Sequence, residues 1–304
     1  MSQELHRPIA PGAWLGMLGG GQLGRMWVHA AQSLGYKCMV LDPDPGSPAG
    51  QAAERHLQAD YLDTQALNTL GQSCAAVSTE FENVPAEALA HLARLTRVTP
   101  HAQAVSIAQD RAREKAHFQS CDVPVAPHQV LASKTDLATV PEALLPGILK
   151  TARMGYDGKG QIRVADRAQL AAAWEQLKSV PCVLEKMLPL VAECSVLVAR
   201  GFDGQVVSYP PQRNVHVGGI LAVTHAYPDC LPAELAARAE SATRAIAQQI
   251  GYVGLLCVEF FVVQGQSGLD LVVNEMAPRP HNSGHHTIDA FDQSQFDLQV
   301  HAMA

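Results

Sequence analysis

The 304-residue sequence predicts an α/β amino-terminal domain of the Rossmann-like kind, followed by two lobes of mixed α+β structure. Strand, glycine turn, helix and strand alternate over roughly the first 100 residues, which is typical of an open parallel sheet. From Pro124 the pattern changes to short strands around a glycine-rich loop, and the last third holds long strands and one long helix. A chain of this length fits two or three packed domains, and the clefts between domains are common places for small ligands.

The first segment, "AWLGMLGGGQLGRMWVHAAQSLGYKCMVLDPD", reads as one βαβ unit of strand, glycine turn, helix and strand, with Asp42 ending the second strand. Gly19, Gly21 and Gly24 fit the GxGxxG pattern, in which glycines let a phosphate approach the start of a helix. Three interpretations stay open at this point: a dinucleotide, another phosphate or substrate group, and a purely structural turn.

Further strands and helices alternate after this unit. The segments "AAVSTEFENV" and "RVTP" read as strands, "PAEALAHLARL" reads as a helix, and "HAQAVSIAQDRAREKAHFQS" is predicted to be one long helical stretch. Sequential strands joined by helices favour a parallel sheet with right-handed connections.

The second segment places a lysine and a glycine-rich loop together. Lys150 ends the apolar strand "GILK", and the loop "GYDGKGQ" that follows contains Gly155, Gly158, Lys159 and Gly160. Such a loop can close over a polyphosphate, although a simple hairpin turn with solvated lysines has the same composition. The loop lacks the GK[ST] ending of a Walker A motif.

Glu185 ends the strand "CVLEKML", beside a short hydrophobic connector. The backbone of such a stretch can bind an adenine edge while the carboxylate binds a ribose. A surface strand end is the alternative interpretation.

The last third carries two acids in apolar strands. Glu259 lies within "LLCVEFFVV" and Glu275 lies at the end of "LDLVVNEM", and neighbouring antiparallel strands would bring them together. Two carboxylates and the side-chain oxygen of Asn274 are hard ligands that suit Mg²⁺ bridging nucleotide phosphates. Two separate ion pairs are the alternative, since a buried unpaired acid is costly. The polar residues after this strand, Arg279 and Asn282 among them, predict an anion site next to the metal site.

Composition excludes several classes of protein. Hydrophobic residues are 47% and charged residues 17%, so neither disorder nor a fibre is indicated. The net charge of -7 argues against non-specific binding to nucleic acid. The seven cysteines show no CxxC pair, and the start "MSQELHRPIAPGA" does not read as a signal peptide. No apolar run is long enough to span a membrane. We therefore expect a soluble cytoplasmic protein.

Together these motifs resemble the ATP-grasp superfamily and, within it, the N5-carboxyaminoimidazole ribonucleotide synthetase family of purine biosynthesis. The resemblance runs from Leu15 to about Ala302. It rests on "GGGQLGRM", "TEFENVP", "QDRAREK", "GYDGKGQ", "ARGFDG", "NVHVGGIL", "VEFF" and "NEMAPRPHNSGHHT", in this order. It implies a preATP-grasp domain over 1–115, a small ATP-grasp lobe over 116–190 and a large lobe over 191–304, without the C-terminal lobe that relatives usually carry.

The resemblance also implies site residues. Nucleotide contacts would be Arg111, Lys150, Glu185, Lys186, Met187, Leu188, Glu193, His216, Asn274, Glu275 and the loop residues Gly155, Tyr156, Asp157, Gly158, Lys159, Gly160 and Gln161. Glu259 and Glu275 would bind Mg²⁺, or Mn²⁺ in its place. Arg279, Asn282 and Ser283 would hold bicarbonate, Glu80, Tyr156, Asp157 and Lys159 would approach the aminoimidazole ribonucleotide, and Gly21, Gln22 and Leu23 would border it.

The chemistry implied is attack of bicarbonate on ATP to give carboxyphosphate, followed by carboxylation of the ribonucleotide amine, in an enzyme that is expected to be a homodimer. One departure concerns Met154, which stands where relatives commonly have glycine. The alternatives are another ATP-grasp carboxylate–amine ligase, of the formate-dependent glycinamide ribonucleotide transformylase or biotin carboxylase type, and a non-catalytic ATP-binding protein.

Overall fold

The amino-terminal part forms a five-stranded parallel sheet in the order β3-β2-β1-β4-β5. The structure is a computed structural model that describes residues 7–155, 160–266 and 268–304. The central strands are buried because helices cover both faces, which explains their continuous apolar sequence. The predicted parallel sheet is confirmed. Its elements are β1 (Trp14–Leu18), α1 (Gln22–Ser33), β2 (Lys37–Leu41), α2 (Pro48–Ala52), β3 (Arg55–Leu57), α3 (Thr64–Ser73), β4 (Ala76–Thr79), α4 (Ala86–Leu92) and β5 (Arg97–Val98).

The stretch predicted as one long helix is two helices, α5 (Ala102–Ala108) and α6 (Arg111–Ser120). Asp110 interrupts it, because its Oδ1 accepts hydrogen bonds from the backbone N–H groups of Ala112 at 3.1 Å and Arg113 at 3.3 Å. An aspartate in this position caps a new helix, because its side chain satisfies N–H groups that no helical carbonyl reaches. The prediction of a continuous helix was therefore wrong.

The small lobe is built on a four-stranded antiparallel sheet in the order β6-β9-β7-β8. Leu131, Leu149, Leu184 and Trp174 fill the space between this sheet and its helix. Its elements are β6 (His128–Leu131), two 3₁₀ turns (Lys134–Thr139 and Glu142–Leu144), β7 (Gly147–Thr151), β8 (Gln161–Val164), α7 (Arg167–Gln176) and β9 (Cys182–Lys186).

The large lobe is a six-stranded sheet in the order β13-β12-β10-β14-β15, with β11 paired to β10. Its strand pairs are antiparallel, as predicted, and its longest helix packs on the sheet through residues such as Leu235 and Ile246. Among the residues that the structure describes, no helix has the length and apolar character needed to cross a membrane. The elements are β10 (Leu190–Arg200), β11 (Val206–Ser208), β12 (Gln212–Val217), β13 (Ile220–His225), α8 (Ala233–Gln249), β14 (Gly254–Gly265), β15 (Gly268–Ala277), a 3₁₀ turn (Asn282–Gly284), α9 (Thr287–Ala290) and α10 (Gln295–Met303).

A β-bulge interrupts the pairing of β14 with β15. Glu259 pairs with Glu275, but the next residue, Phe260, pairs with Val273, so Asn274 is the extra residue. A bulge bends its strand and changes the direction of the neighbouring side chains. It thereby breaks the strict alternation that would send Asn274 and Glu275 to opposite faces of the sheet.

Helix α10 joins the large lobe to the first domain. Phe296, Val300 and Met303 pack into the core formed by β1 and α1, whereas Leu298 packs with Leu197 of the large sheet and its neighbours. The spacing of Phe296, Val300 and Met303 places them on one face of the helix, with Leu298 on another. The domain boundaries given above remain predictions.

Candidate active site

A cleft lies where the three parts of the chain meet. Its walls come from the loop after β4, from α6, from the β7–β8 connection, from β14 and β15, and from the turn after β15. Six of the predicted site residues line it together: Arg111, Gly155, Glu259, Glu275, Arg279 and Asn282. These residues are up to 171 positions apart in the sequence (282 minus 111), so only the packing of the three parts brings them together.

Glu259 and Glu275 face each other across β14 and β15. Burial raises the pKa of Glu259 to about 8, and the neighbouring charge of Glu275 adds to this effect. Arg111 Nη1 lies 3.0 Å from Glu275 Oε2, whereas Glu259 has His281 Nε2 as a more distant neighbour, at 3.5 Å. Burial and the charge of Arg279 lower the pKa of His281 to about 3, so its ring is neutral near pH 7. A bound cation would favour the ionised form of Glu259 and compensate the charge of both acids.

The donor set at this pair fits a hard divalent cation. Asn274 Oδ1 is buried and has no hydrogen-bond partner among the described residues, which leaves an oxygen free beside the two carboxylates. The described residues hold no group of three or more His, Cys, Asp and Glu side chains that could form a complete protein cage for a metal. Two carboxylates and an amide oxygen are hard ligands of the kind that hold Mg²⁺ in nucleotide sites, together with phosphates and water.

Arg279 also lines the cleft, in the turn after β15. Its Nε is 2.5 Å from Glu82 Oε2, and its Nη1 donates to Pro280 O at 2.9 Å. Asn282 is exposed beside it and lines the cleft. No role was predicted for Glu82. It stands two residues after Glu80 in "TEFENVP", and this spacing could have indicated both acids as candidate site residues.

Ser283 requires a correction. It was predicted to hold bicarbonate with Arg279 and Asn282, but its side chain is completely buried. Its hydroxyl accepts a hydrogen bond from Ser195 Oγ at 2.8 Å and lies 2.9 Å from His281 Nδ1. Since these partners belong to the interior, Ser283 holds the turn after β15 in place and does not face the cleft.

Glu185 lies between two lysines beneath the small lobe. Lys150 Nζ donates to Glu185 Oε2 at 3.0 Å, and Lys115 Nζ forms an ion pair with Oε1, also at 3.0 Å. The charges of Lys150 and Lys115 outweigh burial and lower the pKa of Glu185 to about 2. Both lysines bind this carboxylate in the structure, and the predicted nucleotide contact of Glu185 stays a prediction. Lys115 was missed, although it follows Arg111 by four residues and so shares its helix face.

The remaining nucleotide-contact predictions fall on β9, β10 and β12. Glu193 Oε2 lies 2.8 Å from His216 Nδ1, and this hydrogen bond raises the pKa of His216. Lys186 and Met187 are exposed at the end of β9. Leu188 packs in a small apolar cluster with Ala126, Val263 and Val272. The nucleotide roles of these residues stay predictions.

The glycine turn before α1 is filled by a carboxylate of the chain itself. Glu80 accepts hydrogen bonds from Gly21 N–H at 2.6 Å and Gly24 N–H at 2.8 Å, and a Cβ on Gly21 would lie 2.5 Å from Glu80 Oε1. Asp42 is engaged as well, with Gly20 N–H at 2.7 Å and the Tyr61 hydroxyl at 2.6 Å. The space beside these glycines is therefore occupied by the Glu80 carboxyl group. A dinucleotide phosphate bound at the start of α1 would lie against this acid.

Residues beside the turn and the glycine-rich loop complete the predicted set. Gln22 is exposed, and Leu23 packs against the core of the first domain. Gly160 has a positive φ of 72°, and Gln161 begins β8 with an exposed side chain. Four predicted residues, Tyr156, Asp157, Gly158 and Lys159, lie outside the described residues.

Comparison with known proteins identifies the family. Residues 116–296 match the model of the ATP-grasp domain, and residues 13–109 match that of the ribonucleotide synthetase preATP-grasp domain. N5-carboxyaminoimidazole ribonucleotide synthase of Staphylococcus aureus (strain COL) is 40% identical over 295 residues, which are 96% of this chain and 77% of that protein. The chain belongs to the N5-carboxyaminoimidazole ribonucleotide synthetase family. The resemblance drawn from the sequence and the predicted fold class are thereby confirmed, and the family is one of ATP-grasp ligases.

Two solved structures of this family extend the comparison. The Staphylococcus aureus synthetase complexed with ADP superimposes with a TM-score of 0.91 at 39% identity, covering 97% of this chain and 78% of that chain. The Aspergillus clavatus synthase, in complex with ADP and 5-aminoimidazole ribonucleotide, superimposes with a TM-score of 0.87 at 31% identity, covering 96% and 76%.

Proposed function

We propose that this chain catalyses the ATP- and bicarbonate-dependent carboxylation of 5-aminoimidazole ribonucleotide to N5-carboxyaminoimidazole ribonucleotide, a step of de novo purine biosynthesis. The observation that carries the proposal is one cleft with paired acids on β14 and β15 and a partly buried arginine just beyond β15. Relatives that bind ADP and the ribonucleotide support the same reading.

The first step transfers the γ-phosphoryl group of ATP. An oxygen of bicarbonate attacks the γ-phosphorus, the bond to the β–γ bridging oxygen breaks, and ADP leaves with carboxyphosphate formed. We propose that Arg279 and the Asn282 amide hold bicarbonate, because both line the cleft after β15. Lys150 and Arg111 would offset the negative charge on the transferring group, which is the main contribution a protein makes to phosphoryl transfer.

We propose that Glu259 and Glu275 hold Mg²⁺, with Asn274 Oδ1 beside them. When bound there, the ion would supply positive charge that stabilises the transferred phosphoryl group. Mn²⁺ accepts the same oxygen ligands and would serve in its place.

The second step forms the carbon–nitrogen bond. The exocyclic amine of the ribonucleotide attacks the carboxyl carbon of carboxyphosphate, or CO₂ released from it. Phosphate departs and the nitrogen loses a proton. We propose that Glu80 borders the ribonucleotide, with Gly21, Gln22 and Leu23 of the turn that it holds, and that Tyr156, Asp157 and Lys159 approach it from the glycine-rich loop. Closure of the site would exclude water, which hydrolyses carboxyphosphate.

The test is ADP release from Mg-ATP and bicarbonate, measured with and without aminoimidazole ribonucleotide. The proposal expects ADP release to depend strongly on the ribonucleotide. Release that depends instead on formate or biotin would indicate another ATP-grasp ligase, and ATP binding without stimulated release would indicate a non-catalytic protein. Either result would refute the proposed reaction.

We further propose that the enzyme acts in the cytoplasm, as its cysteine usage indicates, and that it is a homodimer, as the family resemblance implies. Sedimentation equilibrium over a range of protein concentrations measures the state directly. A molecular mass that stays at 32.5 kDa at all concentrations would exclude the dimer.

A further inference from the structure

The outer edge of β15 is held at two places. β15 is the last strand of its sheet, and among the described residues its outer edge pairs only through an isolated parallel bridge between Val125 and Val273. Val273 N–H donates to Pro124 O at 2.8 Å, and Met276 N–H donates to Glu114 Oε1 at 2.7 Å. These two hydrogen bonds bracket the residues of the bulge, Asn274 and Glu275.

The bulge needs such support for two physical reasons. An extra residue locally disrupts the ladder, so the backbone there has fewer hydrogen bonds to fix it. The carboxyl groups of Glu259 and Glu275 also face each other, and ionisation of both would push the two strands apart. A hold on the far side of β15 opposes both effects.

Glu114 is an unusual residue to find at this place. It is 2% exposed, and burial of a carboxyl group costs several kcal/mol unless hydrogen bonds compensate. Among the described residues, the hydrogen bond from Met276 N–H is the one that its carboxyl group accepts. An apolar side chain would pack α6 against β15 without that cost. Packing alone therefore does not explain why this position has a hydrogen-bond acceptor.

We propose that Glu114 is a positioning residue, whose carboxyl oxygen fixes the β15 bulge so that Asn274 and Glu275 present their oxygens to the metal and the nucleotide phosphates. Helix α6 already contributes Arg111 to Glu275, three residues before Glu114. The same helix thus contacts the side chain of Glu275 and the backbone that follows it. The inference rests on the proposed function for the identity of the ligand.

Two substitutions separate the acceptor oxygen from the charge. Glu114→Gln keeps an oxygen at the same reach and removes the ionisable group. Glu114→Asp keeps an ionisable carboxyl group, but its side chain is shorter by one carbon–carbon bond, about 1.5 Å, which withdraws the oxygen from Met276 N–H. A role of the negative charge would impair the Gln variant, whereas the proposed role impairs the Asp variant.

The two measurements that test the proposal do not require catalytic turnover. Calorimetric binding of ADP at a series of Mg²⁺ concentrations measures the metal dependence, and amide hydrogen exchange over residues 271–279 measures the order of the bulge. We expect Glu114→Asp to raise the half-saturating Mg²⁺ concentration about tenfold and Glu114→Gln to stay within about twofold of wild type, since partners that orient metal ligands have effects of this size. Exchange in the segment should accelerate in the Asp variant only.

Ile246→Val provides the control, because Ile246 is buried under the same sheet and away from the cleft. It should lower the melting temperature without changing the Mg²⁺ dependence. The proposal is overturned if Glu114→Asp behaves like this control, or if Glu114→Gln loses the metal dependence. If Glu114→Asp fails to fold, the Mg²⁺ dependence of the Glu114→Gln variant still tests the proposal. A chain that fails the ribonucleotide test but shows these Mg²⁺ effects would refute the proposed reaction and leave the role of Glu114 standing.

Discussion

Replacing Glu185 with glutamine should strongly destabilise this protein. Glu185 is 3% exposed and lies 3.0 Å from the ammonium groups of both Lys115 and Lys150, which are 1% and 6% exposed. The amide keeps the shape of the side chain but removes its charge. Two buried ammonium groups would then be left without their counter-ion, which is the costly outcome for a buried ion pair.

The magnitude follows from the pKa of Glu185, which the two lysines lower from an ordinary value of 4.5 to about 2. Each pKa unit corresponds to 1.36 kcal/mol, so the charged form contributes about 3 kcal/mol to the free energy of unfolding. Removal of one partner of a buried pair costs a similar roughly 3–5 kcal/mol. Because the folded-state pKa is depressed, this stability is fully present above the unfolded pKa. It is lost as pH falls through the window from 4.5 towards 2.

Urea unfolding at pH 7 and at several acidic pH values tests this reasoning. The difference between wild type and Glu185→Gln should be about 3 kcal/mol near neutral pH and should shrink below pH 4.5. Glu175→Gln is the matched control, since Glu175 pairs with Lys134 at 3.7 Å on the surface and should change stability by less than about 1 kcal/mol. A loss below about 1 kcal/mol for Glu185→Gln, or a loss that does not vary with pH, would refute the argument.

Substitutions at three further positions test the cleft and the loop beside it. Glu275→Gln should abolish Mg²⁺-dependent turnover while circular dichroism shows an unchanged fold; retained activity would mean that the paired acids are structural. Arg279→Ala should leave ATP binding nearly unchanged and lower bicarbonate-dependent ADP release about a hundredfold or more, as loss of a charge-stabilising donor does; an unaltered rate would contradict its role. Met154 has a φ of 59° and is exposed, so Met154→Gly should not reduce thermal stability, whereas the β-branched Met154→Val should cost about 1 kcal/mol or more. Equal melting temperatures for the Gly and Val variants would show that the backbone there carries no strain.

The comparison of sequence and structure is most instructive at β14 and β15. An acid inside the apolar run "LLCVEFFVV" was enough to single out Glu259, because a buried carboxylate demands a partner. The strand alternation that located both acids could not show that Asn274 is an extra residue in the pairing. The bulge depends on the register of two strands and on the segment that holds the outer edge of β15. Neither can be predicted from the sequence of a single strand.

The sequence by itself determined the parallel amino-terminal sheet, the antiparallel large lobe and the family, because periodicity and motif order are properties of the chain. Only the tertiary structure decided that Glu80 fills the glycine turn, that Lys115 shares Glu185 with Lys150, and that Ser283 faces the interior. These are contacts between residues far apart in the sequence. Their partners are set by how the three parts of the chain pack, and local patterns do not encode that packing.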